Sequence, residues 1–424
     1  MADDFQFIRE TRKEKPLNRK RVLQHILETV VLAVLFGVVG CLTFVLLRPR
    51  IEQYFMPEEK PQISFTEQDE LPAEEDTENT DDQDDTKDEP QKVIIEKPTT
   101  MDLAEYQALQ NKMYAVGREA DKFIVSVTNV KNDTDIFNTP YENEGIGSGV
   151  IIADTGEYLL ILTEKKTIQG AASIRVTFVD DQTVKAQLQQ YDGNTGIAVL
   201  RVKAKDIGED TRDQIAVATL GTSVGVSQGQ MVLAVGSPIG TIHSILTGNI
   251  TSNRNSISTM DCNYTVFTTD MVGSADAGGV LINTDGEIIG FILQDYNMQK
   301  EQTTLAAVSI SELKGVIELL SNDKSVPYLG MRISTVTDEI SETYQMPKGV
   351  YVREVALDSP AMAAGFQSGD VITKINGVSI AAAEDYEKLL LTLSDEQVIH
   401  ITYERQDAED YIFLESDVRV GVLE

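Results

Sequence analysis

The chain has 424 residues, enough for two or three domains that can each bury a core, and its 42% hydrophobic content is that of folded protein. A formal net charge of -32 argues against nucleic acid as a partner, because phosphate would be repelled. Two cysteines, Cys41 and Cys262, and three scattered histidines, His25, His243 and His400, supply neither a disulfide framework nor metal-ligand spacing, so no metal or other cofactor is expected.

The charge is unevenly spread. Arg9, Arg12, Lys13, Lys15, Arg19, Lys20 and Arg21 make the start basic. Thr29 to Leu47 then runs without a charge, close to the ~20 apolar residues that cross a bilayer, and Arg48 and Arg50 close it. The run is long for a signal-peptide core and has no small-x-small cleavage site directly after it. Residues 1–25 are therefore expected to be a cytosolic basic segment and 26–47 an uncleaved transmembrane signal anchor. The excess of Lys and Arg before the span puts the bulk of the chain outside the cell membrane. Residues 48–100 are crowded with Asp and Glu and poor in apolar groups. Such a stretch cannot offset its ordering entropy by burial, so an extended, disordered linker is expected. Its carboxylates lack the ordered spacing of a calcium loop.

Residues 102–122 carry helix formers with apolar spacing near 3.6. Short alternating segments follow, broken by Gly, Asn and Asp: 123–127, 149–153, 158–162, 174–179, 197–202, 231–235, 266–269, 280–282 and 288–293. Many short strands with turns between them predict barrels or a sandwich, and 310–321 reads as a closing helix.

Several motifs lie in order along this stretch. They are GSGVII from Gly147, GEYLLILT from Gly156, DGNTGIAVL from Asp192, GQMVLAVGSPIG from Gly229, TGNITS from Thr247 and TDMVGSADAGGVL from Thr269. In that order and spacing they resemble the HtrA/DegP-type trypsin-like serine proteases. The resemblance implies a mostly β fold of two six-stranded antiparallel barrels over residues 101–323, with the active site in the cleft between them.

The chemistry departs from the family. The resemblance puts the catalytic His at Lys166, the Asp at Gly196 and the nucleophilic Ser at Ala277, with one residue deleted from the loop before it. Nucleophile, base and orienting carboxylate are all missing, and Asp276 would oppose a developing oxyanion if it points inward. A catalytically degenerate member is expected. An active envelope endopeptidase with a rearranged site stays open, using Lys166 with Ser274 as a dyad or His243 as a base. So does chaperone-like holding of unfolded chains. The simpler reading makes Lys166 a solvated lysine, Ser274 a loop residue and His243 a plain loop histidine.

From about Val326 a second set of motifs appears: YLGM from Tyr328, GVYVREV from Gly349, SPAMAAGF from Ser359, GDVI from Gly369 and ING from Ile375. These resemble an HtrA-type PDZ domain, an α+β module, over residues 324–424. Ser359-Pro360 can cap and start a helix, Gly365 can end it, and Asn376-Gly377 can make a tight turn. In such a domain an extended peptide adds to a sheet edge while loop amides hold its terminal carboxylate. The resemblance implies a peptide site at Tyr328, Leu329, Gly330, Met331 and Ile333, facing a helix at 385–393 that offers Leu389 and then Tyr386. Implied partners are exported polypeptides or C-terminal peptides, and an active HtrA-type protease that the chain would regulate. The membrane is met through one helix, and family members commonly form trimers through the protease domain, homotypic or mixed.

Overall fold

The computed structural model describes residues 62–65, 102–134, 140–297, 303–408 and 410–423, with backbone alone at 132–134 and 140–144. The basic segment, the anchor and nearly all of the acidic linker lie outside the described residues. Among the described residues no helix is long and apolar enough to cross a membrane. One short piece of the expected linker is docked. Ile63 and Phe65 pack against the core, and the Ile63 N–H donates to Asn322 Oδ1 at 3.0 Å. These two are apolar residues in an acidic stretch, and burial holds them.

Helix α1 (Leu103–Ala120) starts at a capping box in which Asp102 and Glu105 exchange hydrogen bonds of 2.7 and 3.0 Å. It ends two residues before the expected limit, passing into a tighter turn at Asp121–Phe123. Met113, Gly117 and Ala120 form its buried stripe. A Cβ at Gly117 would sit 2.7 Å from Ile245 Cγ2, so only glycine allows this approach to the sheet.

Six strands then close a barrel in the order β1-β2-β3-β6-β5-β4. They are β1 (Ile124–Thr134), β2 (Pro140–Asp154), β3 (Tyr158–Glu164), β4 (Ser173–Thr177), β5 (Thr183–Tyr191) and β6 (Ile197–Lys203). In β5 buried Val184 and Ala186 alternate with exposed Thr183, Lys185 and Gln187, the period-two pattern that aims one face at a core. The short helices α2 (Lys165–Ile168) and α3 (Glu209–Arg212) sit on connections. A second barrel closes in the order β10-β11-β12-β9-β8-β7. Its strands are β7 (Met231–Ser237), β8 (Ser244–Ser258), β9 (Asn263–Val272), β10 (Gly278–Ile282), β11 (Ile288–Leu293) and β12 (Thr304–Ser309). Helix α4 (Ile310–Ser321) has the expected limits. Its Leu313, Ile317 and Leu320 are fully buried in one cluster with residues of both barrels.

The last hundred residues have their own core. Strands β13 (Pro327–Tyr328) and β20 (Gly421–Val422) pair with each other. A separate sheet runs β14-β15-β16-β18-β19, with β17 (Val378–Ser379) off β16. Its main strands are β14 (Met331–Thr335), β15 (Val350–Val355), β16 (Val371–Ile375), β18 (Val398–Asp407) and β19 (Asp410–Arg419). Helices α5 (Asp338–Tyr344), α6 (Pro360–Ala363) and α7 (Ala383–Leu390) complete the module. Ser359 caps α6 by accepting from the Met362 N–H at 3.1 Å, Pro360 opens it, and Gly365 follows at φ +88°. Asn376 and Gly377 are both left-handed, at φ 49° and 80°, as the β16–β17 turn requires. Helix α7 starts two residues before the expected helix and ends at Leu390 rather than at Leu393.

Candidate functional site: the cleft and the carboxylate loop

A cleft of about 460 Å³ opens where the barrels meet, lined among others by Ser148, Glu164, Lys166, Ser237, Asp276 and Gly278. Lys166 stands on α2, just past β3, with Nζ 2.7 Å from Glu164 Oε2 and 3.7 Å from Asp295 Oδ2. Lys166 is exposed, and its ammonium pairs with the buried Glu164 carboxylate at the wall of the cleft. Burial pushes the Glu164 carboxyl up to about 7, against the opposing charge and hydrogen bond of Lys166. Burial pulls Lys166 down, but the Glu164 charge and hydrogen bond outweigh it, and the ammonium is held above its ordinary value. A lysine that keeps its proton cannot act as the base of a Ser–Lys dyad.

Ser274 is not among the residues lining the cleft. Its N–H donates to Pro238 O at 3.0 Å, and its hydroxyl is buried without a hydrogen-bond partner among the described residues. His243 lies in the turn between β7 and β8, its Nδ1 3.0 Å from Asp121 Oδ1 just past the end of α1. That bond holds its pKa above the usual histidine value. Gly196 is a turn residue at φ +74°, its N–H on Asp192 O at 3.1 Å and its carbonyl accepting from Lys165 N–H at 2.7 Å. The nearby Asp192 carboxylate takes the Thr195 hydroxyl at 2.6 Å and two loop amides, so it is committed to its own turn. Ala277 is wholly buried in the core of the second barrel. Its N–H donates to Ser274 O at 3.2 Å.

The second candidate site is the loop Tyr328–Met331, where the side chains of Leu329 and Met331 are fully buried and Gly330 is left-handed at φ +86°. Its three successive N–H groups, those of Leu329, Gly330 and Met331, converge on one carboxylate. That carboxylate belongs to Asp261, at the tip of the β8–β9 hairpin, with distances of 2.8, 2.6 and 3.0 Å. The Tyr386 hydroxyl, from α7, donates to Asp261 Oδ1 at 2.7 Å, and the Asp261 N–H donates to Met331 O at 2.6 Å. Burial pushes the Asp261 carboxyl up and the four donors pull it back, leaving it above the ordinary aspartate value. Asn263 N and Nδ2 both donate to Glu387 Oε1, at 2.9 and 3.0 Å, which ties the other side of the tip to α7.

Ile333 follows on β14 and is fully buried in the module's core. Leu389 is half-buried against that same core, while Tyr386 is the α7 residue that reaches the loop. Sequence reasoning missed Asp261. The only local signal is an acidic residue between Met260 and Cys262 at a hairpin tip, a place where Asp is commonly just a turn former.

Residues 147–291 match the family model described as trypsin-like peptidase domain, and residues 327–414 match the PDZ domain. A probable periplasmic serine endoprotease, DegP-like, of Halomonas elongata is 32% identical over 255 residues, covering 59% of this chain and 51% of that protein. The serine protease Do-like HtrB of Bacillus subtilis is 30% identical over 278 residues, covering 60% and 58%. The chain thus spans about half the length of these curated relatives. Among solved structures, the HtrA-type protease AlgW with a decapeptide superposes with a TM-score of 0.53 at 22% identity, over 73% of this chain and 98% of that one. AlgW with a tripeptide gives 0.51 at 22%, over 73% and 97%. Fold and sequence together define a trypsin-like peptidase domain joined to a PDZ domain. In sequence and fold the chain is similar to HtrA-type proteases.

Proposed function

We propose that this chain is a binding member of its family. Its trypsin-like domain performs no serine endoproteolysis, and its PDZ domain takes C-termini or exported polypeptides, as a scaffold or as a regulator of an active relative. The observation that carries the first half is the occupancy of the three triad positions by Lys166, Gly196 and Ala277, with the Ala277 N–H already bonded inside its loop. The second half is supported by the convergence of the Leu329, Gly330 and Met331 amides on a carboxylate, the chemistry by which such loops hold a chain terminus. Solved relatives of similar fold are described with bound peptides. Residues 26–47 are proposed as the anchor that keeps this work at the outer face of the cell membrane.

Casein cleavage by the purified chain, beside Lys166→Ala and Ala277→Ser, tests the first half. All three are expected at background, because restoring a hydroxyl at position 277 restores neither base nor oxyanion donors. Turnover by the parent chain that Lys166→Ala abolishes would overturn it. The rearranged dyad has little support, since Lys166 is held in its charged form by Glu164.

A further inference from the structure

Two features mark a C-terminus bound in a PDZ domain: its carboxylate sits on loop amides, and its strand adds to the sheet edge beside them. Strand β14 is such an edge, pairing with β15 on one side only within its sheet. At that edge Asp261 reproduces the first feature and the first backbone hydrogen bond of the second. Its side-chain carboxylate accepts the Leu329, Gly330 and Met331 N–H groups, and its own N–H donates to Met331 O, as a peptide's last residue would. Its backbone is left-handed at φ +61°, which turns the side chain rather than the main chain into the nest.

A carboxylate offers about four acceptor sites. Three amides and the Tyr386 hydroxyl fill them all. A second carboxylate could not enter alongside, because two like charges sharing a few ångströms of buried space oppose each other's ionisation. The hairpin tip is also held in place from outside the nest. Asn194 Nδ2 donates to Met260 O at 2.7 Å, and Asn263 grips Glu387.

We infer that Asp261 is a resident stand-in for a C-terminal carboxylate, so that an external C-terminus binds the Tyr328–Met331 loop only when the hairpin tip has withdrawn. This rests on the proposed reading that the loop serves C-terminal peptides. Binding and separation of the PDZ domain from the second barrel are then one event. The apparent affinity of the parent chain is lowered by the small fraction of time the tip is out.

The test uses the full chain and its Asp261→Gly variant, a change that keeps the left-handed backbone unstrained and removes only the carboxylate. Each protein is immobilised and offered decapeptides with four randomised C-terminal residues, once with free carboxylates and once as amides, and retained peptide is counted by mass spectrometry. Hydrogen exchange at Leu329–Met331 is followed in parallel. Asp261→Gly is expected to retain at least about ten times more free-carboxylate peptide than the parent, with amides not retained, and to exchange those three amides at least about tenfold faster. Asp261→Asn, which tolerates the same backbone, should fall between the two. Equal retention by the parent and Asp261→Gly overturns the inference and leaves the peptide-binding reading standing. Retention by neither overturns that reading and the inference with it.

Discussion

Burial and a single ammonium compete at Glu164. The carboxyl ends a strand whose preceding six residues are all apolar or uncharged, and among the described residues Lys166 answers its charge at close range. Removing that answer should matter most when Glu164 is ionised. Lys166→Met is expected to lower the urea midpoint by an amount equivalent to about 1–2 kcal/mol at pH 9, less than the ~3–5 of a fully buried pair because the lysine is partly solvated. At pH 5 Glu164 is protonated and the loss should nearly vanish. A loss equal at both pH values would mean that the pair is not coupled.

The triad loss proposed above is a reading of the sequence, since identity alone decides whether a nucleophile or base stands at a position. The sequence did not reveal that Lys166 pairs with Glu164 at the wall of the cleft. Glu164-Lys165-Lys166 reads as a charged surface turn until β3 and β6 bury its first member. Asp261 was hidden for a related reason, as its loop partners lie 68 to 70 residues further along the chain.

Elements whose cause is local were the readable ones. The Ser359-Pro360 start of α6, the Asn376-Gly377 turn and the limits of α4 all follow from residues within a few positions of each other. The tie between β18 and the turn entering β16 does not. There Arg405 grips the fully buried Asp370 through two nitrogens, at 2.6 and 2.9 Å, and also donates to Gly365 O. This fork fixes the end of the α6 segment against the sheet, and its geometry is one that Lys cannot copy. Arg405→Met should cost about 3–5 kcal/mol by leaving Asp370 buried and without its counter-charge, read as a loss of denaturation midpoint at pH 7. Arg405→Lys should recover only part of it. Full recovery by lysine would show that charge alone matters there.

Among the described residues burial raises several carboxyls, Asp261 and Glu312 as well as the two that follow. Glu164 and Glu387 are each raised from 4.5 to about 7, in both cases first by burial. Glu384 and Glu312 add repulsion at Glu387, and the Asn263 hydrogen bonds oppose the shift. The folded protein therefore binds protons that the unfolded chain releases between pH 4.5 and 7. Stability from these groups is fully present below about pH 4.5 and is lost as pH rises to about 7. Glu387→Gln should flatten that fall, seen as a smaller difference in melting temperature between pH 5 and pH 8. An unchanged difference would remove Glu387 from the account. Because Glu387 bridges to Asn263 beside Asp261, the same titration bears on how firmly the hairpin tip is seated.

The turn Asp192–Gly196, where the proposed reading puts a lost catalytic carboxylate, is not idle. Asn194 holds Met260 from one side and takes the Tyr296 hydroxyl on its carbonyl at 3.2 Å, so the turn braces the tip that carries Asp261. On the proposed reading, a loop shaped for catalysis has become part of a mounting for something else. Natural selection acting on such a chain would be blind to the nucleophile position beyond its need for a small buried side chain. It would stay strict two residues before Gly196, where hydrolysis never asked for an amide side chain. A saturation library scored for survival under selection for the binding role should show that inversion: tolerance to small residues at Ala277, intolerance at Asn194 and Asp261.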